Sequence, residues 1–154
     1  GGLIGSEQAA GVSPSPLRRF AALLPADASI AEQVASRLRL STRQRKHLAA
    51  LAAHRAALPP ARRLAHAIGV EAARDAWLLM GGPAAATAAV EALADWEVPM
   101  LPIKGGDIIA RGVTAGPEVA RILRAVEAAW VAEDYPDAAR VAALADQMIG
   151  RTSD

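Results

Sequence analysis

The fold class is decided by residues 117–130, which read PEVARILRAVEAAW. Pro117 suits the first turn of a helix, since its fixed φ matches the helical value and its missing N–H would have no partner there. From Val119 to Trp130 the large apolar residues recur at the three- and four-residue spacing of one helix face. We predict a helix that buries this face, with Trp130 in the core.

Similar helix signals occur along most of the chain. The alternation of apolar and polar residues that is typical of strands does not occur. Capping patterns at Ser15, Ser29 and Ser41 predict helices over 17–24, from 29 to about 40, and over 41–58. Pro, Gly and apolar spacing predict further helices over 60–68, 70–80, 83–96, 107–111 and 138–149, with Trp96 buried at the end of one of them. We therefore predict an all-α bundle of about eight or nine short helices without a sheet.

The predicted helical region covers residues 15–149. Residues 1–14 contain Gly, Ser and Pro without periodicity, so we expect a flexible linker or tag remnant there. Residues 150–154 are expected to fray. The chain begins without Met, so we expect either a processed product or an excised part of a larger protein, and we favour the excised part.

The amino-acid composition limits the possible cellular location of the protein and the kinds of site that it can form. The chain has no Cys, which excludes disulfides and thiolate zinc sites and permits the cytoplasmic location that we expect. Its longest uncharged stretch, residues 76–90, is shorter than a bilayer span and is interrupted by Gly-Gly-Pro. We therefore expect no membrane partner.

The charge is unevenly distributed along the chain. Residues 1–66 contain 10 Lys and Arg against 3 Asp and Glu, a balance of +7, whereas residues 67–154 contain 7 against 13, a balance of −6. A basic half suits phosphate backbones, but Arg-rich solvated helices would have the same balance. Charge alone leaves both interpretations open.

The sequence contains no recognisable catalytic centre. Metal-dependent nucleotidyl transfer needs carboxylates held close together, but Asp and Glu fall singly along the predicted helices, and Glu133 with Asp134 stands at a helix end. His47 and His54 are two helical turns apart. Two histidines that bind one metal ion from the same helix are usually one turn apart. We predict no catalytic residue, no metal site and no cofactor in this chain.

The predicted helix after Ser41 combines two faces. Its basic stripe contains Arg43, Lys46, His47 and His54, and its neighbouring apolar stripe contains Leu48, Leu51 and Leu58. One side can pack inward while the other meets a phosphate backbone. An ordinary solvated amphipathic helix explains the same pattern, and both interpretations stay open.

Residues 96–136 read WEVPMLPIKGGDIIARGVTAGPEVARILRAVEAAWVAEDYP. This stretch resembles the C-terminal region of bacterial CCA-adding tRNA nucleotidyltransferases, a family that includes poly(A) polymerases. The similar features are Trp96 before a Pro-rich link, the run 101–105 leading to Asp107, the Gly-Val and Gly-Pro pairs within 112–117, and Trp130 before an aromatic-Pro pair. Residues 17–25 and 37–51 are similar to the helices that join the catalytic head of these enzymes to the rest.

The resemblance implies a division of labour with an N-terminal head domain. That head holds the carboxylates, the Mg²⁺ ions and the nucleotide, whereas the helical region behind it grips the acceptor arm of tRNA. This chain would be part of the helical region, inactive alone, within a parent nucleotidyltransferase. Gly106 departs from the family pattern, which places a larger side chain there. The residues expected to contact RNA are Arg18, Arg19, Arg39, Arg43, Lys46, His47 and Lys104.

An alternative function remains open beside this one. Amphipathic, Ala-rich helices would also suit a free-standing protein-interaction or regulatory module that does not bind RNA.

Overall fold

The computed structural model describes residues 2–151, and these contain ten helices and no strand. The prediction of an all-α bundle of short helices without a sheet is confirmed. In chain order the helices are α1 (Leu3–Ala9), α2 (Pro16–Leu23), α3 (Ala28–Arg37), α4 (Thr42–Ala53), α5 (Ala61–Ile68), α6 (Val70–Met80), α7 (Gly82–Leu93), α8 (Gly105–Ile109), α9 (Pro117–Ala132) and α10 (Ala138–Gly150). None of these helices is long and apolar enough to cross a membrane.

The chain folds as two compact units. The N-terminal unit is Gly1–Val98 and contains α1 to α7, and the C-terminal unit is Pro99–Asp154 and contains α8 to α10. Each unit has its own apolar core. The predicted single helical region over 15–149 is therefore divided after residue 98.

The core of the N-terminal unit is built from leucines and many alanines. Leu48 and Leu51 of α4 are buried as predicted, together with Leu64 of α5. The alanines let neighbouring helices approach closely, so the large residues can be few. Trp96 packs against this core but is only half-buried, because it lies beyond the end of α7.

The core of the C-terminal unit forms around Trp130, which is 2% exposed. The indole Nε1 donates a hydrogen bond of 2.9 Å to the carbonyl of Pro136. The ring of Tyr135 packs edge-on against the indole, with 5.0 Å between the ring centroids. Ile108 of α8, Val126 of α9 and Leu144 of α10 are buried in the same core. The helix face predicted from residues 117–130 is thus the buried face.

Two of the three predicted helix starts are confirmed. The Ser15 hydroxyl accepts a hydrogen bond from the backbone N–H of Arg18, and Ser41 with Gln44 forms a reciprocal capping box. The predicted start at Ser29 is wrong. Asp27 caps α3 by accepting from the N–H of Ile30, since it offers an equally good acceptor two residues earlier.

Helix α4 ends at Ala53, about one turn before the predicted end near Leu58. The ring Nδ1 of His54 lies 2.9 Å from the carbonyl oxygen of Ala50, the acceptor that the backbone N–H of His54 would use in a continued helix. That N–H turns instead to the carbonyl of Ala52. The side chain thus takes over the hydrogen bond that would have extended the helix.

The N-terminal stretch differs from the prediction. Residues 1–14 were expected to be a flexible linker, but Leu3–Ala9 form α1, and Ser6 and Glu7 are buried. Gly5 faces Pro83 of α7, where an added Cβ would lie 3.8 Å from the ring. Tertiary packing, not periodicity, thus orders this short helix. At the other end α10 includes Gly150, and residues 152–154 lie outside the described residues.

Candidate nucleic-acid interface

The seven residues expected to contact RNA fall into three groups. Arg18 is buried and His47 is mostly buried. The remaining residues are exposed on one unit or the other: Arg19, Arg39, Arg43 and Lys46 on the N-terminal unit, and Lys104 on the C-terminal unit. The side chain of Arg19 is 49% exposed and lies 3.3 Å from Glu7.

The prediction of an RNA contact for Arg18 is corrected by its burial. Its Nε donates to Asp75 Oδ1 at 2.9 Å, and its Nη1 donates to Glu7 Oε1 at 2.6 Å and to the carbonyl of Ser13 at 3.3 Å. Both carboxylates are buried with it. The guanidinium therefore joins α1, α2 and α6 from within the core and does not meet an external phosphate.

Asp75 connects the buried Arg18 to helix α4. Its Oδ2 lies 3.0 Å from Nε2 of His47, while its Oδ1 accepts from Arg18. Burial raises the pKa of the Asp75 carboxyl, but the hydrogen bond with His47 and the charge and hydrogen bond of Arg18 outweigh burial and hold the pKa below its usual 3.8. We call Glu7, Arg18, His47 and Asp75 the buried polar cluster.

Sequence patterns did not predict this cluster, although one signal was present. Asp75 lies on α6 among Ala72, Ala73, Ala76 and Leu78, all of them buried. A lone carboxylate on an apolar helix face needs a cationic partner. Which of the many arginines supplies that partner is decided by tertiary packing, since Arg18 is 57 residues away.

The most basic part of the chain is one continuous segment of sequence. Residues 33–70 contain eight Lys and Arg and no Asp or Glu. This segment, which we call the basic segment, extends from the middle of α3 to the first residue of α6. Six of its cations are exposed: Arg37, Arg39, Arg43, Lys46, Arg62 and Arg63.

The two half-buried cations of the basic segment have structural contacts. Arg55 donates to the carbonyls of Leu24 and Ala22, which lie at the end of α2. These contacts satisfy carbonyls left without helical partners. Arg45 lies 3.4 Å from the hydroxyl of Thr42 one turn back. The exposed six are therefore the cations that an external anion can reach from solvent.

Arg39 stands in a backbone conformation that favours glycine. Its φ is +54°, and it follows the end of α3, where its N–H donates to Ser36 and the next N–H, of Leu40, donates to Ala35. This hydrogen-bond pattern is the Schellman motif, in which the left-handed position is usually Gly. An arginine there costs roughly 1 kcal/mol relative to glycine, so its side chain is placed at the corner between α3 and α4 against the local backbone preference.

A groove runs between α4 and the start of α6 and has a volume of about 520 Å³. Arg43, Lys46 and His47 line it from α4, and Glu71 lines it from α6. Arg43 Nη2 lies 2.5 Å from Glu71 Oε2, and both side chains are largely exposed. The structure thus brings together three of the predicted residues, and adds one carboxylate that the prediction did not include.

Chemically, this arrangement suits the binding of an anion. Arginine offers forked N–H donors that match carboxylate and phosphate oxygens, and lysine adds a mobile point charge. Within residues 2–151 no group of three or more His, Asp or Glu is placed to hold a metal ion.

Comparison of the chain with protein-family models, with curated proteins and with solved structures finds no match.

Proposed function

We propose that this chain is the RNA-gripping helical region of a tRNA nucleotidyltransferase, and that it holds the tRNA acceptor arm by its phosphates for a catalytic head domain elsewhere in the parent protein. The observation that carries the proposal is the basic segment, with six exposed cations and no acidic residue over residues 33–70. The sequence resemblance, which covers about residues 16–136, supports this choice of family. The all-helical fold is compatible with it.

The mode of binding follows from the kind of residues exposed. Arg and Lys on helix surfaces contact phosphates, and phosphate contacts give affinity and position without reading bases. Binding to tRNA is therefore expected to be salt-dependent and to show little sequence preference. Arg39 supports this function, because an exposed cation stands at a backbone position that favours glycine.

The test compares two double variants of the full chain. Arg43→Ala with Lys46→Ala removes two exposed cations of the basic segment and leaves the buried Leu48 and Leu51 in place. Arg121→Ala with Arg124→Ala removes two exposed cations of α9 in the C-terminal unit. Both pairs lie three residues apart on a helix, so the variants are matched in charge and spacing.

Fluorescence anisotropy with labelled tRNA over a series of salt concentrations gives the slope of log affinity against log salt. Each lost phosphate contact reduces the magnitude of that slope by roughly one unit. We expect a reduction of up to about two units for the first variant and none for the second. Equal slopes for both variants, with the helical circular dichroism retained, would reject tRNA binding by the basic segment and favour the interaction-module alternative.

A further inference from the structure

We propose that the α4–α6 groove is a binding site for one phosphodiester group of RNA, and that the Glu71 carboxylate occupies the place of that group in the free protein. This inference rests on the proposed function. It adds to that function one phosphate site, at which the Glu71 carboxylate competes with the RNA phosphate for the same contact.

The contact between Arg43 and Glu71 is the starting observation. It joins two helices across the groove, from residues 28 positions apart, with 2.5 Å between Arg43 Nη2 and Glu71 Oε2. The Arg43 side chain is 83% exposed and that of Glu71 57% exposed. Water and ions therefore reach both groups, and the contact can be exchanged for another anion.

The chemistry of the guanidinium explains why a phosphate can replace the carboxylate. Both anions present oxygens at the spacing of the N–H fork, and a guanidinium binds either of them. Lys46 lies three residues after Arg43 on the groove side of α4, so a second positive charge is within reach of the same anion. Of these two cations, only Arg43 forms an ion pair with the Glu71 carboxylate in the described part of the chain.

The wall of the groove is held in place from within the core. His47 lines the groove and is fixed at 3.0 Å from Asp75, which is itself fixed by Arg18. The buried polar cluster thus sets the position of α4 relative to α6 at the site. The groove volume of about 520 Å³ falls within the usual range for sites that take small ligands.

Glu71 could also have a purely structural role, and a similar glutamate in the same chain allows this explanation to be tested. Glu71 is the second residue of α6, where a negative charge is favoured by the positive end of the helix dipole. Glu118 is likewise the second residue of α9 and contacts the exposed Arg121 at 2.5 Å. That pair, however, lies within one helix, so Glu118 serves as the control.

The experiment uses Glu71→Gln and Glu118→Gln in the full chain. Removing the competing carboxylate frees Arg43, so Glu71→Gln is expected to strengthen tRNA binding at low salt by up to about fivefold, the upper end of the range for an exposed ion pair. Glu118→Gln is expected to leave the affinity unchanged. In the Arg43→Ala background, Glu71→Gln should give no gain, because the two residues act on the same contact.

A second readout separates this site from the proposed function. Inorganic phosphate is titrated into isotopically labelled protein at constant ionic strength, and the Arg43 Nε–H signal is followed. We expect saturable movement of this signal at lower phosphate concentration in Glu71→Gln than in the unmodified chain. This result without tRNA binding would retain the phosphate site and reject the proposed function.

Two outcomes would overturn the inference. One is an Arg43 signal that phosphate does not move in either protein. The other is a gain in tRNA affinity from Glu118→Gln as large as that from Glu71→Gln, because the gain would then reflect net charge and not the groove. If tRNA binds through the basic segment but Glu71→Gln has no effect, the proposed function stands and the competing role of Glu71 is rejected.

Discussion

The two units of the chain place their charged side chains differently. Among the described residues, the buried charged groups are Glu7, Arg18 and Asp75, all in the N-terminal unit. The C-terminal unit has its ion pairs at the surface, between residues exposed enough to exchange with solvent: Arg111 with Asp146, Arg121 with Glu118, and Arg140 with Glu133. The first unit therefore depends on partnered charges inside its core, whereas the second depends on apolar packing around Trp130.

This difference has an energetic consequence. Charges withdrawn from water require partners, and removal of one partner leaves the others uncompensated. Exposed pairs stay solvated whether or not they touch, so they contribute little. Substitution of an arginine should thus have very different effects in the two units.

The largest expected effect is that of Arg18→Met. The substitution leaves the carboxylates of Glu7 and Asp75 buried without the guanidinium that bridges them, and we expect a loss of about 3–5 kcal/mol in the unfolding free energy of the N-terminal unit. Urea unfolding followed by hydrogen exchange in each unit measures this loss. Arg121→Met, which removes an exposed arginine of the C-terminal unit, should leave the unfolding midpoint unchanged. Comparable losses for both variants would contradict the comparison.

A smaller effect is expected from acid. Because the folded-state pKa of Asp75 is held below 3.8, its charge stabilises the fold above that pH, and this stability is lost as the pH falls through the lowered value. Asp75→Asn should be less stable than the unmodified chain near neutral pH, and the difference should narrow below about pH 3.8, since a protonated carboxyl resembles the amide.

Urea midpoints measured from neutral to acidic pH test this expectation. Asp146→Asn, which alters an exposed pair of the C-terminal unit, is the control and should follow the acid profile of the unmodified chain. A gap between Asp75→Asn and the unmodified chain that stays constant at all pH values would show that the Asp75 charge does not contribute to stability.

The smallest expected effect on stability has the opposite sign. Arg39→Gly places the residue preferred at φ +54° after α3, and should stabilise the N-terminal unit by roughly 1 kcal/mol. The same change removes an exposed cation, so tRNA affinity should fall while stability rises. Thermal unfolding and tRNA titration of one preparation measure both. A variant that gains stability and keeps its full affinity would remove Arg39 from the interface.

Local signals predicted most of the helices. Val70–Met80 forms α6 with the predicted bounds, because Gly69 and Gly81 interrupt the helical pattern on either side. The caps at Ser15 and Ser41 were likewise readable, since a cap depends on residues three positions apart. Helix α1 was not, because its order comes from contacts with α7.

The candidate site was predicted only in part, for the same reason. The basic stripe of Arg43, Lys46 and His47 follows from helix periodicity. The position of Glu71 across the groove depends on how α4 and α6 pack, and the burial of Arg18 depends on carboxylates 11 and 57 residues away. Sequence identifies the cations, but tertiary packing decides which of them stay free for a ligand.

The most direct test of the account is a map of the amides that respond to RNA. A tRNA acceptor-stem minihelix is titrated into ¹⁵N-labelled full chain at low salt, and backbone chemical shifts are followed in both units. We expect the largest shifts in residues 33–70, around the exposed cations of α3, α4 and α5. Shifts confined to residues 99–151, or a spectrum unchanged by the RNA, would contradict it.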